Sequence, residues 1–206
     1  MLFGISGAHR TGKSTLAKAV AEELGIDYIP TSIGEVAQRY GFDPVAPMTL
    51  HQRVALQMHL LEDHLELIDG LKGPAILDRT PIDFVGYLLA EFHMQSHLLC
   101  DDKHLEAAHR YVDLCLKATR TRYDFLFVTC PLPDYKEEPG KPAMNLAYQW
   151  HHHMLVMGAT LSLHGSVNYS IIREADRTRR QEFVHDAIVA RLDAVAEMRK
   201  SARHIH

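Results

Sequence analysis

The sequence predicts an α/β fold in three layers, with a five-stranded parallel sheet flanked by helices. Two patterns predict it. Short, mostly apolar runs at 2–6, 27–32, 73–78, 123–131 and 167–172 alternate with segments of helical periodicity. Strands that read as continuous apolar runs are those buried on both faces, as in a parallel sheet covered by helices. In addition, the first run passes through a glycine-bounded loop, Gly7-Ala8-His9-Arg10-Thr11-Gly12-Lys13-Ser14, into an amphipathic helix. At 206 residues, with no low-complexity segment, repeat or linker, the chain is expected to form a single domain over 1–206.

The elements follow in order. Residues 2–6 are apolar and end in glycine, and 15–24 ("TLAKAVAEEL") carry apolar residues at helical spacing, closed by Gly25 as a C-terminal cap. "DYIPTS" is the second strand, and "IGEVAQRYG" a brief helix stopped by Gly41 and Pro44. Residues 48–70 have long helical periodicity. "GPAILD" is a buried strand, and Pro81 stands near the first turn of the helix after it. Residues 104–119 are helical, "YDFLFVTCP" is the most hydrophobic strand, "VNYSII" is the fifth, and 177–199 form a closing helix.

Composition narrows the function classes. With 47% hydrophobic residues, 23% charged residues and a formal charge of -4, nothing global points to a nucleic-acid or membrane partner. Three cysteines, Cys100, Cys115 and Cys130, give neither a metal spacing nor a disulfide framework, which suits a reducing cytoplasm. No basic leader precedes the first strand, so a soluble cytoplasmic protein is expected. His151-His152-His153 cannot converge on one ion from a helix, because adjacent side chains diverge.

Gly-x4-Gly-Lys-Ser between a strand and a helix is a phosphate-binding loop. Consecutive N–H groups over Gly7, Ala8, His9, Arg10, Thr11, Gly12, Lys13, Ser14 and Thr15, with the positive helix end, surround phosphates. Lys13 is then expected to meet the β- and γ-phosphates of ATP, and Ser14 to ligate Mg²⁺. Asp78, an acid at the end of the strand expected to neighbour the loop strand, suits the second magnesium-organising group; the alternative for an acid at a strand end is a cap for the next helix. Ligands in such sheets lie beyond the carboxyl ends of the strands, where the loop, Asp78-Arg79 and "CPLPDYKEEPGK" all fall. No Asn/Thr-Lys-x-Asp segment identifies guanine, and the short chain leaves little room for motor or transporter elements.

"GAHRTGKST" followed by "ILDRTPIDFVGYLLA" resembles the small P-loop kinases of nucleosides and nucleotides, most closely the ribosylnicotinamide-kinase-like group and the phage-type deoxynucleotide kinases. Two details resemble thymidylate kinase. Asp78-Arg79 matches that family's Asp-Arg motif, which implies an arginine gripping the acceptor monophosphate and an aspartate on the magnesium side. Arg10 matches the arginine that one subtype carries inside the loop. The resemblance also implies a lid, here about 132–150, which offers Lys136 and Lys141 but no arginine anywhere from 123 to 172. Arg10 is therefore the expected source of guanidinium charge at the transferred phosphoryl group. It further implies that Arg173 or Arg177, after the fifth strand, lies against adenine.

The acceptor pocket is expected to draw on Glu35, Arg39, Arg53, Gln57, Arg79 and Asp83. A monophosphate acceptor calls for cations, and Arg79 with Arg39 would supply a pair. A hydroxyl acceptor calls for a carboxylate base, which Glu35 or Asp83 would be, while Glu35 equally fits a solvated helix face and Asp83 the first turn of a helix, where an acid stabilises the dipole. The thymidylate-kinase-like pairing favours a (deoxy)nucleoside monophosphate as the small-molecule partner. A nucleoside-type hydroxyl, or a regulatory ATPase acting through a protein partner, is the alternative; a homodimer is compatible with either.

Overall fold

The computed structural model describes residues 1–43, 46, 48–95, 102–133 and 145–203. Strands and helices alternate among them as β1 (Leu2–Gly7), α1 (Lys13–Leu24), β2 (Asp27–Pro30), α2 (Ile33–Arg39), α3 (Leu50–Asp69), β3 (Ala75–Asp78), α4 (Pro81–Gln95), α5 (Asp102–Arg122), β4 (Phe125–Thr129), α6 (Leu146–Leu161), β5 (Asn168–Ile172) and α7 (Arg177–Arg203). The five strands form one sheet in the order β2-β3-β1-β4-β5, with every neighbouring pair parallel.

Strand periodicity explains why the strands read as apolar runs. Phe3, Ile5, Ile76 and Phe127 face Leu16, Val20, Val184 and Ile188 of α1 and α7. Their sequence neighbours Leu2, Ala75, Leu77, Leu126 and Val128 face Ile82, Val156 and Leu163 on the other side. Successive side chains point to opposite faces, and helices bury both. A further cluster, including Leu61, Phe84, Leu88 and Tyr111, joins α3, α4 and α5 behind the second face. Register places the site: Ile5 pairs with Asp78 and Gly7 with Thr129, so the loop after β1 opens between the ends of β3 and β4.

Element ends depart from expectation where side chains cap the backbone. The second strand stops at Pro30 because Ser32 turns to cap α2, its hydroxyl accepting from the Glu35 N–H at 3.3 Å. Gly25 closes α1 in the left-handed conformation, as its position predicts. Helix α6 is the main difference. Asn145 caps it by accepting from the Tyr148 N–H at 2.9 Å, so residues 146–150, the end of the span assigned to a lid, are helical. Residues 134–144, with Lys136 and Lys141, lie outside the described residues.

α6 packs on α4 across Gly86, where a Cβ would stand 2.6 Å from His152 Cδ2 and 2.7 Å from Val156 Cγ2. His152 and Val156 are fully buried and have nowhere to retreat. Gly86→Ala is accordingly expected to lower stability by about 1–2 kcal/mol despite the better helix propensity of alanine, since overpacking outweighs it. Thermal unfolding of the variant checks this.

Candidate phosphoryl-transfer site

The phosphate loop is built by side-chain to backbone bonds that leave its amides turned inward. Gly7 has φ 143°, and a Cβ there would lie 2.5 Å from Thr129 Oγ1 and 2.6 Å from the Thr129 carbonyl, so only glycine lets β4 close on the loop. The Thr11 hydroxyl donates to the Ala8 carbonyl at 3.0 Å and shares a 2.6 Å hydrogen bond with Thr129 Oγ1. Gly12 caps α1, leaving Ser14 and Thr15 exposed at the helix N-terminus. Lys13 is buried, its Nζ donating to the carbonyls of Gly7 at 2.8 Å and Ala8 at 2.6 Å. Burial and then the Arg79 charge lower its pKa to about 8.

Among the described residues, the non-glycine residues with left-handed φ are Arg10 at 57° and Arg79 at 82°. Such backbone costs of order 1 kcal/mol or more per residue and persists where surrounding contacts fix it. At Arg79 the fixing contacts are visible: its N–H donates to the Ile5 carbonyl at 3.0 Å, and its Nη1 donates to the Tyr87 hydroxyl at 2.6 Å. Burial alone would lower the Arg79 pKa, but Tyr87, Asp83 and Asp78 more than offset it and hold the guanidinium charged. Lys13, Arg10 and Arg79 all act on His9, whose imidazole burial and these cations depress to about 4, keeping it neutral. The His9 ring lies 5.7 Å from Tyr148 of α6, so His9 faces α6.

Asp78 is buried at the end of β3, and its Oδ1 has no hydrogen-bond partner among the described residues. Of the two roles open to Asp83, the structure shows the one at the helix start. Its carboxylate is fully buried, accepting from the Gly7 N–H and the Thr80 N–H, each at 2.9 Å. It thus ties α4 to the start of the phosphate loop and caps its own helix, instead of facing an acceptor. Burial raises its pKa, against the opposing pull of Lys13 and Arg79.

The other acceptor candidates scatter. Arg39 is exposed and paired with Asp63 of α3 at 2.6 Å, where Tyr40 also donates at 3.0 Å. Glu35 is exposed on α2. Gln57 is buried and accepts from Tyr111 at 3.1 Å, within the helical layer. Arg53 meets Glu91 of α4 at 3.7 Å, and both charges act on Tyr148, so this pair borders the His9 side of the site. The three histidines of α6 diverge: His151 approaches His93 at 3.2 Å, His152 packs at a tilt against Tyr87, and His153 meets Trp150 edge-on.

On the other side of the loop an open cavity of about 220 Å³ is lined by Gly12, Thr15, Leu16, Leu132, Arg177 and Gln181, among others. Arg177 lines this cavity together with Gly12 and Thr15 of the loop, whereas Arg173 lies outside the lining; both are exposed. Sequence reasoning missed Arg180, which also lines the cavity. It is buried, and Nη1 donates to the Thr11 carbonyl at 2.7 Å, Nε to Glu174 at 2.5 Å and Nη2 to Cys130 at 3.2 Å. One guanidinium thus joins the phosphate loop to the ends of β4 and β5. Gln149 was also missed; fully buried on α6, it donates to the His9 carbonyl at 2.8 Å.

No helix among the described residues is long and apolar enough to cross a membrane. No curated protein matches the sequence. Solved structures do match the fold. Deoxyadenosine kinase from M. mycoides, with dCMP and a flexible dCDP bound, aligns with a TM-score of 0.63 at 14% identity, covering 92% of this chain and 100% of that one. Thymidylate kinase from Candida albicans aligns at 0.61 and 17% identity, covering 92% and 91%. NadR with NAD and AMP-PNP aligns at 0.60 and 16% identity, covering 91% of this chain and 48% of that one. The fold is that of P-loop nucleoside and nucleotide kinases. The family model described as AAA domain matches residues 2–180, spanning the phosphate loop, Asp78-Arg79 and Arg180, and the chain belongs to that family.

Proposed function

We propose that the protein is an ATP- and Mg²⁺-dependent kinase that transfers a phosphoryl group to a (deoxy)nucleoside monophosphate. The observation that carries this is the placement of Lys13 and Arg10 in the loop after β1 and of Arg79 at the end of β3, on paired parallel strands, with both arginines in left-handed backbone. Three cations at the ends of β1 and β3 suit charge arriving from two phosphate-bearing substrates. The loop amides and Lys13 hold the donor phosphates, Arg10 meets the transferred group, and Arg79 faces the acceptor phosphate. The adenine end fits the cavity between Gly12 and Arg177.

The residues fit a magnesium ion. The exposed Ser14 hydroxyl and the buried, unpartnered Asp78 Oδ1 are hard oxygen donors that would hold it. When bound, the ion neutralises charge on the β- and γ-oxygens. Lys13 does the same from the loop, and its depressed pKa makes this measurable. Above about pH 8 the free protein carries a growing fraction of neutral Lys13, and phosphate charge restores the proton. ATP binding at about pH 8.5, followed by calorimetry in buffers of different ionisation enthalpy, is expected to take up a proton in the wild type and none in Lys13→Met.

A nucleoside-type hydroxyl acceptor is the second reading. Two observations favour it: Arg39 is engaged by Asp63, which removes one expected phosphate cation, and Asp78 Oδ1 is a buried carboxylate oxygen without a partner. A panel of nucleosides and nucleoside monophosphates with ATP and Mg²⁺, read by product mass, separates the two. Diphosphate products support the first reading, monophosphate products from nucleosides the second. No phosphorylated acceptor, with ATP hydrolysis stimulated by a protein partner, would replace both with a regulatory ATPase.

A further inference from the structure

The contacts that hold Arg79 form a continuous relay outside the phosphate loop. Its Nη1 donates to the Tyr87 hydroxyl at 2.6 Å, and its guanidinium carbon lies 5.2 Å from the Tyr87 ring centroid. Tyr87 in turn packs against His152 of α6, with ring centroids 4.1 Å apart and the planes tilted by 37°. His152 is fully buried; its Nε2 lies 3.4 Å from the Asp83 carbonyl, and its place on α4 exists because residue 86 has no side chain. Burial lowers the His152 pKa to about 3, so the ring stays neutral and adds no charge beside Arg79.

Arg79 needs such a support. Its φ of 82° is disfavoured for an arginine, and a long side chain loses much rotamer freedom when fixed. The Asp83 carboxylate, the nearest acid on α4, is occupied by the amides of Gly7 and Thr80. A phenol supplies an acceptor without a full negative charge, so it orients the guanidinium yet leaves its charge for a substrate anion.

Resting on the kinase reading, we propose that Tyr87, seated by His152, is the positioning residue that aims Arg79 at the acceptor. Among the described residues, Tyr87 is hydrogen-bonded to Arg79 and to no residue of the phosphate loop, so it acts through Arg79. Tyr87→Phe keeps the ring, its tilted contact with His152 and the cation–π contact, and removes only the hydroxyl. It is expected to lower kcat/KM for the acceptor by about tenfold, the value of one charge-assisted hydrogen bond, with ATP affinity and Tm close to wild type. Combined with Arg79→Lys, it is expected to add nothing to the loss from Arg79→Lys alone, because both break one unit.

A second measurement does not depend on activity. In the side-chain ¹⁵N spectrum, Arg79 Nη rotation is expected to be slow in the wild type and fast in Tyr87→Phe. Additive losses in the double variant, an equal loss of ATP affinity, or unaltered Arg79 rotation in Tyr87→Phe would each overturn the relay. A wild-type protein that phosphorylates no acceptor would overturn the kinase reading instead, and the Arg79 spectrum would still decide whether Tyr87 fixes the guanidinium.

Discussion

Replacing Lys13 with alanine is expected to lower phosphoryl transfer by ~10³-fold while leaving thermal stability equal to or above that of the wild type. The two effects separate because the side chain serves function at a cost to folding. Lys13 is buried, with a pKa lowered from 10.5 to about 8, first by burial and then by Arg79. The unfolded chain binds this proton more tightly than the folded one between those values. The folded state is therefore penalised by about 3 kcal/mol at pH 7 and less as pH rises from 8 toward 10.5. Two bonds to the Gly7 and Ala8 carbonyls offset part of this. Alanine removes the cation and its penalty together. Steady-state kinetics with thermal unfolding on one preparation tests both halves, and a large fall in Tm would show that Lys13 is there for the fold.

Arg10→Ala is expected to reduce kcat by ~10³-fold with little change in ATP affinity. Arg10 is in left-handed backbone inside the loop, and with Lys13 and Arg79 it acts on the same imidazole. No other arginine is available from the segment after β4, because none occurs from 123 to 172. Arg180, the buried arginine nearest the loop in bonding terms, spends its donors on three backbone carbonyls and is a brace. An arginine directed at charge that develops only during transfer changes turnover and leaves ground-state binding alone. Pre-steady-state kinetics with ATP titration measures the split. Unchanged turnover would remove Arg10 from the catalytic set.

The parts of this site that were legible in the sequence are those whose chemistry is local. Gly7, Gly12, Lys13 and Ser14 work through spacing along one strand, loop and helix, and the structure keeps them together. Asp78 and Arg79 were legible because an acid at a strand end falls beside the loop once β3 pairs with β1. Arg180 and Gln149 carried no local signal. Their bonds to Thr11 and His9 join residues 169 and 140 positions apart, and in sequence each is an ordinary polar residue of a helix. Asp83 and Arg39 are ambiguous in the sequence for the converse reason. A carboxylate and a guanidinium of the right type were present, but Gly7 and Asp63, distant in sequence, claim them. Helix α6 was obscured because "LAYQWHHHMLVMGATL" has no charged residue to mark an outer face, so the lid was drawn into its first turn.

The central claim is that Lys13, Arg10 and Arg79, at the ends of β1 and β3, deliver a phosphoryl group to a nucleotide acceptor. Its most direct test follows the label from γ-³²P-ATP in the presence of Mg²⁺ and a mixture of nucleoside monophosphates. The account predicts label in a nucleoside diphosphate, dependent on Lys13 and Arg10. Label found only in inorganic phosphate, at a rate indifferent to every acceptor, would contradict it.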